Sequence, residues 1–385
     1  MPNNNEQFDD ICLVKKGAEP DCFVKQAPEH PENASLYAYS HISDHEKSVY
    51  NVIYDAVLNF KETAGNFPAH TKRQEVNKVL RCVYFDHPEI FWFDGKYSTN
   101  YQTDTDIVNY VDFTYFLNPD EARARQKEID DAVAVFMKDI NRNMSEYDIA
   151  LSIFENIISL VDYDTLKLEK SQQLRFFYTH NLRNIYGVFV EKKAVCAGYA
   201  KAFQYLTNRM GIECSFVGGK VKDSMHAWNL IRLNGEYYYI DVTWDDHSDT
   251  KNPFFSSQEI AYDYFCIDSK TLMRDHEPEN TLPLPECTAK ECNYYYKNGL
   301  LLNDYSYDSI CAIFKSFVSK GKYEISLKAT DKSAYDTIIR QLFENSQMRL
   351  ILIELSDAGL DIDKNRCRYE TTEERLKIKI KLYRR

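Results

Sequence analysis

The chain has 385 residues, 44% apolar and 28% charged, the profile of a globular protein with material for two to three domains or one large domain with appendages. A formal charge of −12 sets the surface against a phosphate backbone and argues against a general nucleic-acid binder. No run of 18 apolar residues occurs, so neither a transmembrane helix nor membrane insertion is expected.

Residues 1–40 are polar, carry Pro20, Pro28 and Pro31, and read as a flexible N-terminal arm. They hold neither a basic n-region nor an apolar h-region, so the expected compartment is the cytoplasm. A leader removed upstream of Met1 would leave the same trace and imply secretion. The ten cysteines are scattered without a CxxC pair, which fits reduced, buried thiols better than a zinc ribbon. Cys12–Cys22 and Cys287–Cys292 are the pairs considered for disulfides.

Residues 41–165 read as a mostly helical N-terminal region packed on a core. Ser43 with Glu46 forms a capping box ahead of Val49, Val52, Ile53, Ala56, Val57 and Phe60 at helical spacing. A helix follows around 71–84. HPEIFWFDG (87–95) reads as a strand closed by an Asp94-Gly95 hairpin turn, and 107–117 as a second strand. Asn118 and Pro119 open a helix over 119–143, and Ser145 opens another whose buried face is Ile149, Ile153, Ile157 and Leu160.

The chemistry concentrates in residues 166–293. Ala200, Phe203, Leu206 and Met210 recur at a helical period after Cys196, placing that thiol at a helix start. There, unsatisfied N–H groups and the helix dipole favour a thiolate and can receive an oxyanion. Three strands follow: 216–222, 226–233 and 236–244, the last two joined by an Asn234-Gly235 turn. Pairing Leu233 with Glu236 puts Asn229 opposite Ile240 and Trp228 opposite Asp241. His226 then becomes a diagonal neighbour of Asp241 on one face. A carboxylate in so aromatic a run needs a partner, and an imidazole beside it gains a fixed tautomer. Alone, Cys196 reads as a core thiol, His226 as structural and Asp241 as a turn or edge residue. Together they read as nucleophile, general base and orienting acid.

GVFVEKKAVCAGYAKAFQYL, GIECSFVGG and MHAWNLIRLNGEYYYIDVTWDD, in that order, resemble the core of the transglutaminase-like superfamily over about 60–65 residues. YDYFCIDSKTLMRDH (262–276) looks like the segment after the core in bacterial members. The resemblance implies an α+β, papain-like core, with the Cys196 helix packed on an antiparallel sheet carrying His226 and Asp241. An N-terminal helical and β extension and a small C-terminal α+β subdomain would surround it. It implies a cysteine peptidase, amidase or acyltransferase that attacks a carboxamide and passes the acyl group to water or an amine, with a protein or peptide substrate and no cofactor. A binding or scaffold protein on the same fold is the alternative, as is regulation by residues 1–35 lying over the cleft. Trp228 and Trp244 are candidate cleft walls. Gly198, Tyr199 and Tyr186 are candidate substrate contacts. His180, Asn181 and Tyr186 are candidate second oxyanion donors.

Asp245, Asp246 and Asp249 with His247 lack the spacing of a calcium loop and read as a solvated loop, so no metal site is expected. His87 and His276 read as structural. Residues 294–385 read as the C-terminal α+β subdomain. It comprises a hairpin over 294–302, a helix over 306–320, a strand over 322–329 and a helix over 331–345. RLILIEL (349–355) reads as a strand, and KIKIKLYRR as an edge strand guarded by lysines. Oligomeric state is not legible.

Overall fold

The computed structural model describes residues 33, 35–164, 179–246 and 260–385. The N-terminal arm apart from its last residues, the Cys12–Cys22 pair, His247 and Asp249 lie outside the described residues. The chain divides into two compact units. The first is residues up to Thr243 with Lys270–Glu286, and the second is Trp244–Ser269 with Cys287–Arg385. This division runs through the expected 166–293 segment instead of ending it at residue 293.

In the first unit, α1 (Asp44–Leu58) begins at Ser43, whose side chain accepts from Glu46 N–H while Glu46 reaches back, the reciprocal box expected. Its face of Val49, Ile53, Ala56 and Val57 packs with Val76, Val79 and Val83 of α2 (Arg73–Asp86) in one core. A three-stranded antiparallel sheet of β1 (Thr63–Gly65), β2 (Phe93–Tyr101) and β3 (Val108–Tyr115) has the order β1-β3-β2. The hairpin turn expected at Asp94-Gly95 is absent. Gly95, at φ 86°, lies inside β2, where the register slips between Phe93 and Tyr97. The left-handed glycine makes a bulge, the other use of that conformation. Residues 87–92 precede the strand, so β2 starts later than expected.

Asn118 caps α3 (Pro119–Phe136), accepting from both Asp120 and Glu121 N–H. Ser145 caps α4 (Glu146–Leu160). Ile149, Ile153 and Ile157 of α4 are buried, each worth roughly 1.5–3 kcal/mol of transfer free energy. Leu160, expected on that face, is exposed. A short parallel pair, β4 (Asp162–Tyr163) with β5 (Lys193–Ala194), leads into α5 (Cys196–Arg209). Then come β6 (Cys214–Val221), β7 (Ser224–Leu233), β8 (Glu236–Ile240) and β9 (His276–Pro278). They form an antiparallel sheet of order β8-β7-β6-β9. The pairs Leu233↔Glu236 and Asn229↔Ile240 match the register set by the Asn234-Gly235 turn, both of whose residues have positive φ.

The second unit has its own core and a sheet of β10 (Leu301–Leu302), β11 (Glu324–Ala329), β12 (Cys367–Thr372) and β13 (Lys377–Leu382), ordered β10-β11-β13-β12. Helices α6 (Tyr307–Ser319), α7 (Lys332–Ile339) and α8 (Gln347–Asp357) complete it. Three expectations fail in this unit. Residues 294–302 form a helical turn at Tyr294–Lys297 and then β10, not a hairpin. The apolar run at 349–355 is α8: Met348, Ile351, Leu352 and Leu355 are buried at helical spacing while Leu350 is half exposed. β13 is an interior strand bonded on both sides, so its lysines guard no edge.

Candidate active site

The first turn of α5 sets the position of Cys196. Val195 is extended and gives no side-chain cap. The N–H groups of Cys196 and Ala197 therefore receive no side-chain cap from Val195, while the Gly198 N–H turns back to Val195 O (2.9 Å). Gly198 sits where a Cβ would lie 2.5 Å from the Leu182 carbonyl oxygen and 2.8 Å from Ala194 Cβ, so only glycine permits this approach. Tyr199 is buried, and its hydroxyl donates to Val161 O (3.0 Å). Asn229 on β7 donates across to Ala200 O of α5 (3.0 Å), bracing the cysteine helix against the strand that carries His226.

His226 Nε2–H donates to Asp241 Oδ2 at 2.6 Å, and the Cys196 sulfur lies close enough to the same ring to raise its basicity. Asp241 is fully buried just past the end of β8, and its Oδ1 accepts Thr243 N–H at 2.9 Å. Burial opposes a charge on the mostly buried His226. The Asp241 carboxylate, together with Cys196, overrides burial and holds the ring up at about 10. Burial also opposes the Asp241 charge, but His226 and His276 overcome it and keep the carboxyl well below its ordinary range. The His226 ring thus lies between the Asp241 carboxylate and the Cys196 sulfur, and both favour a proton on it.

A fourth residue joins them. His276, from β9, is hydrogen-bonded through Nε2 to the same Oδ2 of Asp241 (3.0 Å) and through Nδ1 to Asp275 Oδ1 (2.5 Å). The Nε2 atoms of His226 and His276 and a carboxylate oxygen of Asp241 lie within 4.8 Å of one another, a spacing that could hold a cation. The two hydrogen bonds already use those atoms.

Other sequence candidates fall elsewhere. Trp228 is fully buried, packed edge-to-face on His276 at 4.9 Å, and walls no open cleft. Trp244 belongs to the second unit and packs on Tyr264. Gly198 and Tyr199 serve helix packing. Tyr186 donates to Glu128 (2.7 Å) and stacks under Arg125. His180 bonds Phe91 O (3.1 Å) and stacks on Phe116; Asn181 donates to Glu191 (2.6 Å) and accepts from Arg125. All three upstream candidates are thus engaged by partners other than Cys196. Besides His226, Tyr84 and Tyr163 feel Cys196 electrostatically, and both are pushed up to about 12, chiefly by burial. Neither stands out in the sequence. Both are half-buried tyrosines in a chain with 29 of them, so residue type carried no signal. Asp245, expected in a solvated loop, is buried and accepts the N–H groups of Asp263 and Tyr264.

Cys287 and Cys292 are both buried thiols and form no disulfide. Among the described residues, no helix is long and apolar enough to cross a membrane.

Parts of this chain are similar to known proteins. A family model described as Transglutaminase-like superfamily matches residues 136–242. Human kyphoscoliosis peptidase is 26% identical over 157 residues, covering 36% of this chain and 22% of that protein. The mouse protein of the same name is 26% identical over 133 residues, covering 31% and 19%. The chain therefore spans about a fifth of the length of these curated relatives. Among solved structures, a TGase crystal structure is similar at 15% identity and TM-score 0.27, over 36% of this chain and 41% of that one. A candidate cysteine protease from Cytophaga hutchinsonii is similar at 16% and 0.21, over 35% and 51%. Residues 136–242, which contain Cys196, His226 and Asp241, are a transglutaminase-like superfamily domain set in an α+β chain.

Proposed function

We propose that this protein is a cysteine-dependent acyl-transfer enzyme acting on carboxamide or peptide bonds, with hydrolysis as the principal outcome and transfer to an amine second. The observation that supports it most is the chain of contacts from Cys196 at a helix start, through the His226 ring, to the buried Asp241 at 2.6 Å. In this reading the Cys196 thiolate attacks the carbonyl carbon, and the oxygen takes the electron pair toward the N–H groups of the first turn of α5. The C–N bond then breaks as His226 gives its proton to the departing nitrogen. Ammonia or an amine leaves and a thioester remains on Cys196. Water or an amine attacks that thioester, His226 takes the proton back, and the C–S bond breaks. Asp241 holds the ring oriented throughout. The peptidase name of the human and mouse relatives favours water as the acceptor.

The test compares wild type with Cys196→Ala on amide-containing peptide libraries, with and without an added amine, following ammonia and new carboxylates. The reading expects product that depends on Cys196. It also expects iodoacetamide to label Cys196 far faster than Cys82 or Cys214, whose thiols burial pushes up to about 12. Equal labelling of Cys196 and Cys214 in the folded chain would leave only a binding role on this fold.

A further inference from the structure

We infer that His276 is a positioning residue of this site, a buried imidazolium clamped between Asp275 and Asp241 that sets how strongly the Asp241 carboxylate holds the His226 proton. A neutral imidazole has one N–H and one lone pair. Here both ring nitrogens face carboxylate oxygens, Asp275 Oδ1 at 2.5 Å and Asp241 Oδ2 at 3.0 Å. A neutral ring would point a lone pair at one of those anions, so the ring carries both protons. The His276 side chain has no exposed surface, and burial alone would discharge it. The hydrogen bonds to Asp241 and Asp275 outweigh burial and raise its basicity.

The ring has little freedom to do otherwise. Its backbone pairs with Val221 of β6, and the Trp228 indole packs against it at 4.9 Å. The charged or titratable groups facing it are Asp275 on its own segment, Asp241 after β8 and His226 on β7, with ring centroids 5.6 Å apart. Asp241 therefore divides one oxygen between two imidazolium N–H groups, while Thr243 N–H holds the other oxygen. The row Asp275, His276, Asp241, His226 then alternates in charge and ends at the Cys196 sulfur. Removing the His276 charge would give Asp241 wholly to His226, tighten its proton, and make the surroundings of the sulfur more negative. The first change works against proton delivery to a leaving nitrogen, and the second against a thiolate at neutral pH.

The inference takes its catalytic meaning from the acyl-transfer reading, but its tests do not need a substrate. Histidine-selective ¹⁵N NMR of the full chain should show both His276 nitrogens protonated at about pH 8, where an ordinary imidazole is neutral. Alkylation of Cys196, followed by peptide mass spectrometry, should slow several-fold in His276→Gln at neutral pH and recover as pH rises, with Asp275→Asn in between. Glutamine keeps an N–H for Asp241 and lacks the charge. A neutral His276 ring in the wild type would overturn the inference. So would slowing of His276→Gln by the same factor at every pH, or no slowing at all. Should His276→Gln fail to fold, the wild-type NMR result decides alone. If His276 is charged but Cys196 labels no faster than Cys214, the acyl-transfer reading fails and the clamp stands.

Discussion

Asp241 in the first unit and Asp263 in the second are equally removed from water, at 0% and 2% exposure, yet they keep different company. Asp241 faces two imidazoles, His226 and His276. Asp263 faces Lys377 at 2.6 Å, Lys328 at 3.0 Å and Arg375 at 3.3 Å, and all three of these cations hold its carboxyl far below the usual range against burial. Beside it, burial and the neighbouring Asp263 charge push Asp245 well up, so Asp263 is the carboxylate of that pair that stays ionised. Burial costs both aspartates alike, and the partner decides the use. Lysine and arginine lock a charge in place, whereas histidine holds a proton that it can pass to a neighbour.

The sharpest way to break this contrast is to neutralise each aspartate. Asp241→Asn should lower Cys196-dependent turnover by about 10³–10⁴-fold, because the ring loses its orienting anion. Asp263→Asn should leave Cys196 labelling unchanged and cost about 3–5 kcal/mol of stability in urea titration, because two lysines and an arginine lose their counter-charge. If the two variants exchange these effects, the division into a reactive and a structural cluster is wrong.

Two smaller effects carry opposite signs with pH. His226 is raised from 6.5 to about 10, so its stabilisation is complete below about 6.5 and fades as pH climbs through about 10. Thermal unfolding of wild type against His226→Gln should show an advantage of about 1–3 kcal/mol near pH 6 that closes on the alkaline side. Lys201 on α5 is lowered to about 7, chiefly by burial, and sits 3.4 Å from the Tyr84 ring centroid. An unfolded lysine binds its proton up to about 10.4, so Lys201 is most costly below pH 7, and the cost shrinks as pH rises. Lys201→Met should therefore stabilise by about 1–3 kcal/mol at pH 6, with the gain shrinking toward pH 10. An equal gain at both pH values would show that packing, not charge, is responsible.

What was legible in the sequence was local or turn-limited. The capping residues Ser43, Asn118 and Ser145 act within one helical turn. The Asn234-Gly235 turn fixes a register over five pairs and so brings His226 to Asp241. The part that escaped depends on tertiary placement. His276 lies 35 residues beyond Asp241, on a three-residue strand too short to show alternation, and reads as an ordinary loop histidine. Four apolar residues in succession at 350–353 suit a buried strand or a helix equally, and only packing within the second unit makes them helical. The lysines of β13 alternate as they would on an edge, and nothing in their pattern reveals a neighbour on each side.

The missing side chain at Gly198 sets the tolerance of the whole site. With the Leu182 carbonyl and Ala194 already at contact, the start of α5 cannot slide toward that wall, and an added methyl would have to lever the helix away from it. The sulfur rides on that first turn, and productive attack tolerates errors of only about half an ångström. The distance between sulfur and imidazole is thus held from two sides, by the wall at Gly198 and by the Asn229 brace from β7.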